Sequence, residues 1–303
     1  MAGKKKAPAP KPKRKRWGRR IALAVLAVLV GFAGWMHVSA RVVHVRYAEV
    51  RLRDLPASFD GTKILFVSDL DLCGINTART SESLFRRLQA LEPDLLLLGG
   101  DYAAPTLLQA LNGRTGDELT DARMAFFQSI AGFQAPLGKY AVSGDHDGDA
   151  SALQLAAMSC GVTLIDGEAA IVSNGSDAIA VAGAVSGDVS ALARRFLKDQ
   201  FVIALTHSPT QAVDVRISEA SDGGAWADLV LSGHTHGGQL QVAGHSALEL
   251  TEADRRYLYG WFVDGPAPLL VTSGVGCEGA NFRLGTQAEI WLITLHRRPD
   301  MEQ

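Results

Sequence analysis

An α/β layered fold, carried behind one apolar N-terminal helix, is the architecture this sequence predicts. Three observations predict it. Short, wholly apolar runs lack the polar alternation of a half-exposed sheet, stretches of helical periodicity separate them, and an uncharged segment at residues 21–40 follows a strongly basic tail.

The N-terminal elements come first. Residues 1–20 hold ten of the thirty Lys and Arg and no acid. Residues 21–40, as helix, span about 30 Å, the hydrocarbon thickness of a bilayer. Trp17 and Trp35 lie near the two ends, where indole favours the membrane interface. Ten flanking positive charges argue against a buried core helix. The sequence therefore divides into a basic cytoplasmic tail (1–20), a transmembrane anchor or uncleaved signal (21–40) and one body domain (41–303). The charge bias places the body outside the cytoplasm, on the inner membrane of the cell.

The net charge of −2 hides an asymmetry: without the tail, twenty basic residues face thirty-two acids, a balance near −12. Such a body does not attract a phosphate backbone, which excludes nucleic acid as its bulk partner. Cys73, Cys160 and Cys277 are widely spaced and read as free buried thiols, with neither a disulfide framework nor a CxxC zinc motif.

Within the body, residues 41–52 alternate as a strand. Apolar runs at 64–67, 95–98, 140–142, 201–205 and 229–231 read as strands buried on both faces, with further strands at 178–182, 269–272 and 290–295. Helical patterns occupy 83–91, 118–130, 150–158, 189–197 and 210–218. Ser208-Pro209-Thr210-Gln211 is a helix start, with a Ser cap, Pro in the first turn and Gln three residues on. Strands alternating with helices give the α/β class. Residues 103–120 read as an insertion or lid.

Five of the apolar runs end in a turn that carries Asp or His. They deliver Asp69 and Asp71, Asp101, Asp145 with His146, His207, and His234 with His236. In open α/β sheets ligands collect at the carboxyl ends of strands. Burying so many charges and imidazoles without partners costs several kcal/mol, and a shared cation is the economical partner. Residues two apart in extended backbone point the same way, so Asp69/Asp71 and His234/His236 can each face one metal cluster. Mixed carboxylate and imidazole donors suit Mn²⁺, Fe or Zn²⁺.

The ordered motifs Ser68-Asp69-Leu70-Asp71, Gly99-Gly100-Asp101, Gly144-Asp145-His146-Asp147, Thr206-His207-Ser208-Pro209 and Gly233-His234-Thr235-His236-Gly237-Gly238-Gln239 resemble those of the calcineurin-like metallophosphoesterases. The anchor, the loop at 274–279 and Arg283 resemble the single-pass membrane branch that includes UDP-2,3-diacylglucosamine pyrophosphatases of lipid A synthesis. The resemblance implies a four-layer αββα sandwich of two mixed sheets and two divalent metal ions. Asp69, Asp71 and His236 would hold one; Asp145, His207 and His234 the other; Asp101 would bridge them. His146 would not ligate but would assist the leaving group, and Arg283 would contact substrate phosphate.

Two positions depart from the family pattern. Asp71 stands where the family usually has His, and Asp145 where it usually has Asn. The set then carries four carboxylates, enough to neutralise two divalent ions, which implies a preference for harder or more highly charged metals. The resemblance thus implies hydrolysis of a phosphodiester or pyrophosphate in a lipid-linked or envelope substrate such as UDP-2,3-diacylglucosamine. The double change leaves open a catalytically impaired, membrane-tethered binding domain. Handling of a UDP-lipid implies a cytoplasmic body, in conflict with the charge bias.

Overall fold

In the computed structural model, which describes residues 14–73, 76–106, 111–112, 116–243, 245–246, 248 and 250–298, the apolar runs form the centre of two six-stranded sheets. The first has the order β1 (Val43–Leu52), β14 (Ala288–Arg297), β2 (Lys63–Val67), β3 (Leu95–Leu98), β4 (Lys139–Ala141), β5 (Thr163–Leu164). The second runs β12 (Gly260–Phe262), β13 (Leu269–Val271), β9 (Leu229–Ser232), β8 (Val202–Leu205), β7 (Asp177–Gly183), β6 (Ala169–Asn174). Both are mixed: β14 with β2, β12 with β13 and β6 with β7 are antiparallel, and the other pairs are parallel. A small hairpin, β10 (Gln241–Val242) with β11 (His245–Ser246), lies apart.

The strands lack polar alternation because each face meets a different apolar layer. Ile64 and Phe66 of β2, with Leu95 and Leu97 of β3, join Ile203, Leu205, Leu229 and Leu231 in the core between the sheets. Their neighbours Leu65, Val67, Leu96 and Leu98 face outward, against α2 (Ala78–Leu88), α3 (Asp117–Ser129) and α4 (Ala150–Ser159). The second sheet sends Val202, Ala204 and Val230 to its own outer layer, with α5 (Val189–Ala193), α6 (Pro209–Ile217) and α7 (Glu252–Arg256). The result is the four-layer αββα sandwich, and the period of two along each strand produces it.

Helix α6 starts where the sequence indicates, with Ser208 and Gln211 forming a capping box and Pro209 in the first turn. Helix α2 starts five residues earlier than its periodicity indicates, at a box between Thr77 and Thr80. The segment expected as a lid divides. Ala103 and Ala104 are buried, Thr106 bridges to Gly279, and Asp117 opens α3; residues 107–110 and 113–115 lie outside the described residues.

Helix α1 (Arg14–Ser39) begins inside the basic tail rather than at residue 21, and residues 1–13 of that tail lie outside the described residues. Its stretch Trp17–Ser39 is long and apolar enough to cross a membrane, and packs on nothing along most of its length. Its last turn docks on the body. The Arg283 amide donates to the Met36 carbonyl at 3.2 Å, His37 Nδ1 donates to the Asn281 carbonyl at 3.0 Å, and the His37 ring meets Phe282 edge-on at 5.9 Å.

Candidate metal centre

The carboxyl ends of β2, β3, β4, β8 and β9 lie at one edge of the sandwich. The turns that follow them bring the seven candidate ligands and His146 together. Five of these residues, Asp69, Asp71, Asp101, His234 and His236, have φ between 44° and 71°. Non-glycine residues seldom adopt that left-handed conformation, and their concentration at one place marks backbone strain held by the fold. Backbone bonds lace the turns: Asp69 and Asp71 amides donate to the carbonyls of Gly100 and Asp101, both at 3.0 Å, and Gly233 donates to His207 at 2.8 Å. Glycine is required at two of the contacts. A Cβ on Gly144 would strike the Asp101 carboxylate, and one on Gly233 would strike Ser68 and Asp69.

Donor atoms of Asp101, Asp145, His207 and His234 lie within 4.8 Å of one another, and so do those of Asp71, Asp101 and His146. Asp101 belongs to both groups. His207 Nε2 is 2.8 Å from Asp145 Oδ1 and 3.4 Å from Asp101 Oδ2. Its Nδ1 donates to the Gly99 carbonyl at 2.8 Å, which fixes the tautomer and leaves Nε2 as the ligand atom. His234 Nδ1 is 3.0 Å from the same Asp145 oxygen. His236 Nε2 is 3.5 Å from Asp71 Oδ2.

The donors fit divalent cations on evidence of their own. Both carboxylate oxygens of Asp71 and Nδ1 of His236 are buried and have no hydrogen-bond partner among the described residues. Leaving such groups unsatisfied is costly, and a cation is the partner that suits oxygen and imidazole nitrogen at once.

Three expectations are modified. His146 groups with Asp71 and Asp101, its Nδ1 3.1 Å from Asp101 Oδ2, so it lies among the donors rather than apart from them. Asp69 is in neither tight group; its carboxylate accepts the His234 amide at 2.9 and 3.1 Å and ties the two sheets together. Arg283 is corrected outright. It is fully buried, and its guanidinium donates to the carbonyls of Ser273 (2.7 Å), Gly274 (3.1 Å), Gly276 (2.6 Å), Gln287 (3.2 Å) and His236 (3.4 Å). A side chain so enclosed is spent on clamping the loop after β13 and cannot meet a substrate phosphate.

Two supporting residues escape sequence reading. Asp147 accepts amides of Asp101, Tyr102 and Gly144 at 2.8–2.9 Å and pairs with Arg123 of α3 at 3.5 Å. Asp254, in the capping box of α7, lies 4.0 Å from Nε2 of His234. Its capping pattern, Thr251 with an acid three residues on, is the one sequence signal that could have found it. A cavity of about 400 Å³ opens over Asp145, His207 and His234, walled by Ser208, Thr210 and Asp254.

Burial pushes the Asp69 carboxyl up to about 6; burial, with the charges of Asp101 and Asp69, also holds Asp71 well above the usual carboxylate range. The hydrogen bond to Asp101 raises His146 to about 10. His207 also lies well above its usual value: burial opposes its charge, but Asp101 and Asp145 outweigh it. Burial, then the Arg283 charge, pushes His236 down to about 3 and keeps it neutral. Cation uptake must therefore displace protons from His207, His146 and Asp71. Calorimetric titration with Mn²⁺ at pH 7, in two buffers of different ionisation enthalpy, is expected to show release of about one proton or more per ion. The same linkage has a sign. A His raised to about 10 contributes stability that is complete below its unfolded value of 6.5 and is lost as pH rises through 10. EDTA-treated protein should melt at progressively lower temperature across that window, and the stabilisation by Mn²⁺ should grow.

The family model of the calcineurin-like phosphoesterases matches residues 62–238. An uncharacterized metallophosphoesterase of Aquifex aeolicus is 28% identical over 288 residues, covering 89% of this chain and 97% of its own. The phosphodiesterase YaeI of Escherichia coli is 26% identical over 290 residues, covering 90% and 95%. A transmembrane protein with metallophosphoesterase domain from Bos taurus is 26% identical over 310 residues, covering 95% of this chain and 65% of its own. The family match takes in more than half of the chain and every candidate ligand from Asp69 to His236, and the chain belongs to the calcineurin-like phosphoesterases.

Proposed function

We propose that this protein is a membrane-anchored phosphodiesterase that uses two divalent cations, held one by each donor group and bridged by Asp101. The observation that carries the reading is that two separate sets of donors share this one carboxylate. Two cations bound there supply the Lewis acidity for attack of water at phosphorus. The chain's own residues do the rest. Asp69, Asp101 and Asp147 lock the turns, His207 presents Nε2 through its bond to Gly99, and burial, with the Arg283 charge, keeps His236 unprotonated. His146, partly accessible, would complete the second donor group, with its Nδ1 held 3.1 Å from Asp101 Oδ2.

Three carboxylates in the donor groups, Asp71, Asp101 and Asp145, favour Mn²⁺ or Fe over Zn²⁺. Asp71→His is then expected to lower bound metal, because a larger ring must enter a fully buried position against Gly276. Elemental analysis after dialysis checks this. Unchanged or increased metal would mean that the native ligand is a handicap.

The substrate is proposed to be a lipid-borne or envelope phosphodiester. Support comes from the last turn of α1, which packs on residues 281–283 beside the loop that Arg283 ties to the site. The charge bias of the tail favours a body outside the cytoplasm, which counts against a UDP-2,3-diacylglucosamine substrate. A body that resists external protease in spheroplasts would reverse that assignment.

The activity test is hydrolysis of bis(p-nitrophenyl) phosphate by the full chain with Mn²⁺. The expected result is turnover abolished by EDTA. The replacements at Asp71 and Asp145 favour the alternative of an impaired binding domain, and that reading requires no turnover above background.

A further inference from the structure

We propose that the body carries a second, non-catalytic site: a cavity against the end of α1 that binds the headgroup and first acyl carbons of an anionic phospholipid. The cavity has a volume of about 460 Å³ and is separate from the cleft over Asp145. Its floor is apolar, made by Leu70, Leu84 and Val275, all buried. Its rim is basic and hydroxylic, with the exposed Arg41, Arg87, Thr80 and Ser83.

Three observations select the occupant. First, Arg41 and Arg87 are exposed and form no ion pair among the described residues, and no acid is among the residues that line the cavity. Two uncompensated guanidinium groups on one cavity fit a phosphate, which they can hold bidentately. This is notable on a body whose overall charge is strongly negative. Second, Arg41 follows the end of α1 at Ser39 by two residues and its amide bonds back to Val38. With α1 across a bilayer, this rim lies at headgroup level, where a guanidinium can pair with a lipid phosphate. Third, an apolar floor below a cationic rim suits an amphiphile, whereas a free anion needs polar walls all round. The occupant would also touch the back of the catalytic loops, because Leu70 stands between Asp69 and Asp71, and Val275 between Gly274 and Gly276.

The proposal does not depend on the phosphodiesterase reading, and its test uses no turnover. Full-length protein is placed in nanodiscs of phosphatidylcholine, or of phosphatidylcholine mixed with phosphatidylglycerol, and amide hydrogen exchange is followed in α2 and in residues 270–277. Phosphatidylglycerol at ten times its dissociation constant should slow exchange there about tenfold, and Arg41→Gln with Arg87→Gln should remove the effect. Both arginines are exposed, so the double variant is expected to keep the wild-type melting temperature. Equal exchange in the two nanodiscs overturns the proposal. Protection that survives in the double variant also overturns it and assigns the lipid to the basic tail. Saturating inorganic phosphate in phosphatidylcholine nanodiscs should give no protection; if it matches phosphatidylglycerol, the site is one for a free anion and the lipid assignment fails.

Discussion

Asp101→Asn is expected to lower phosphodiester hydrolysis at saturating Mn²⁺ by on the order of 10³-fold, equivalent to about 4 kcal/mol of transition-state stabilisation. The substitution keeps the shape of the side chain. Its Oδ1 can still accept the His146 amide, which Asp101 does at 3.0 Å, and the Asp101 backbone amide still reaches Asp147. What disappears is one negative charge between His207 on one side and His146 with Asp71 on the other. Both groups lose a ligand of full charge at once, so the effect should exceed that of Asp145→Asn, which touches one group and whose side chain is half exposed. The order of the two losses is the informative quantity. Steady-state kinetics on an aryl diester, with circular dichroism to verify the fold, measures it. Activity of the Asp101 variant within tenfold of wild type would remove the bridge from the account.

Arg283→Met is expected to cost about 3–5 kcal/mol of stability, the range for stripping a buried charge from its partners. Five carbonyls lose their donor, in a place that water reaches poorly. For a body of this size that corresponds to a fall of about 10 °C in melting temperature. A substrate-binding arginine would behave differently, raising KM with the melting temperature unchanged. Thermal unfolding in detergent, alongside KM, separates the two roles.

The parts of this molecule legible in the sequence are those where one strong force acts alone. β2, β3, β8 and β9 are four- or five-residue runs buried on both faces, and nothing but a central strand buries that pattern. The turns after them carry the candidate ligands, whose convergence at one sheet edge follows from those strands. Elements with little to bury left no trace: β5, β10 and β11 have two residues each, and α7 has five, too few for a period. The start of α2 was hidden because Thr80, not Glu or Gln, completes its capping box. Arg283 shows a different limit. A guanidinium near a loop of glycines reads equally as a phosphate contact or a carbonyl clamp, and only the packing of the loop after β13 against Asp69 and Asp71 decides between them. Arg123 and Asp147 were out of reach for the same reason, since α3 meets the turn after β4 only in the folded chain.

The central claim is that donors from separate strand ends converge on two cations joined by one carboxylate. Electron paramagnetic resonance of the full chain titrated with Mn²⁺ tests it most directly. A spin-coupled signal that develops as the second ion binds, and that Asp101→Asn abolishes, is the predicted result. Signals of isolated Mn²⁺ at every ratio, or no tightly bound Mn²⁺, would contradict it.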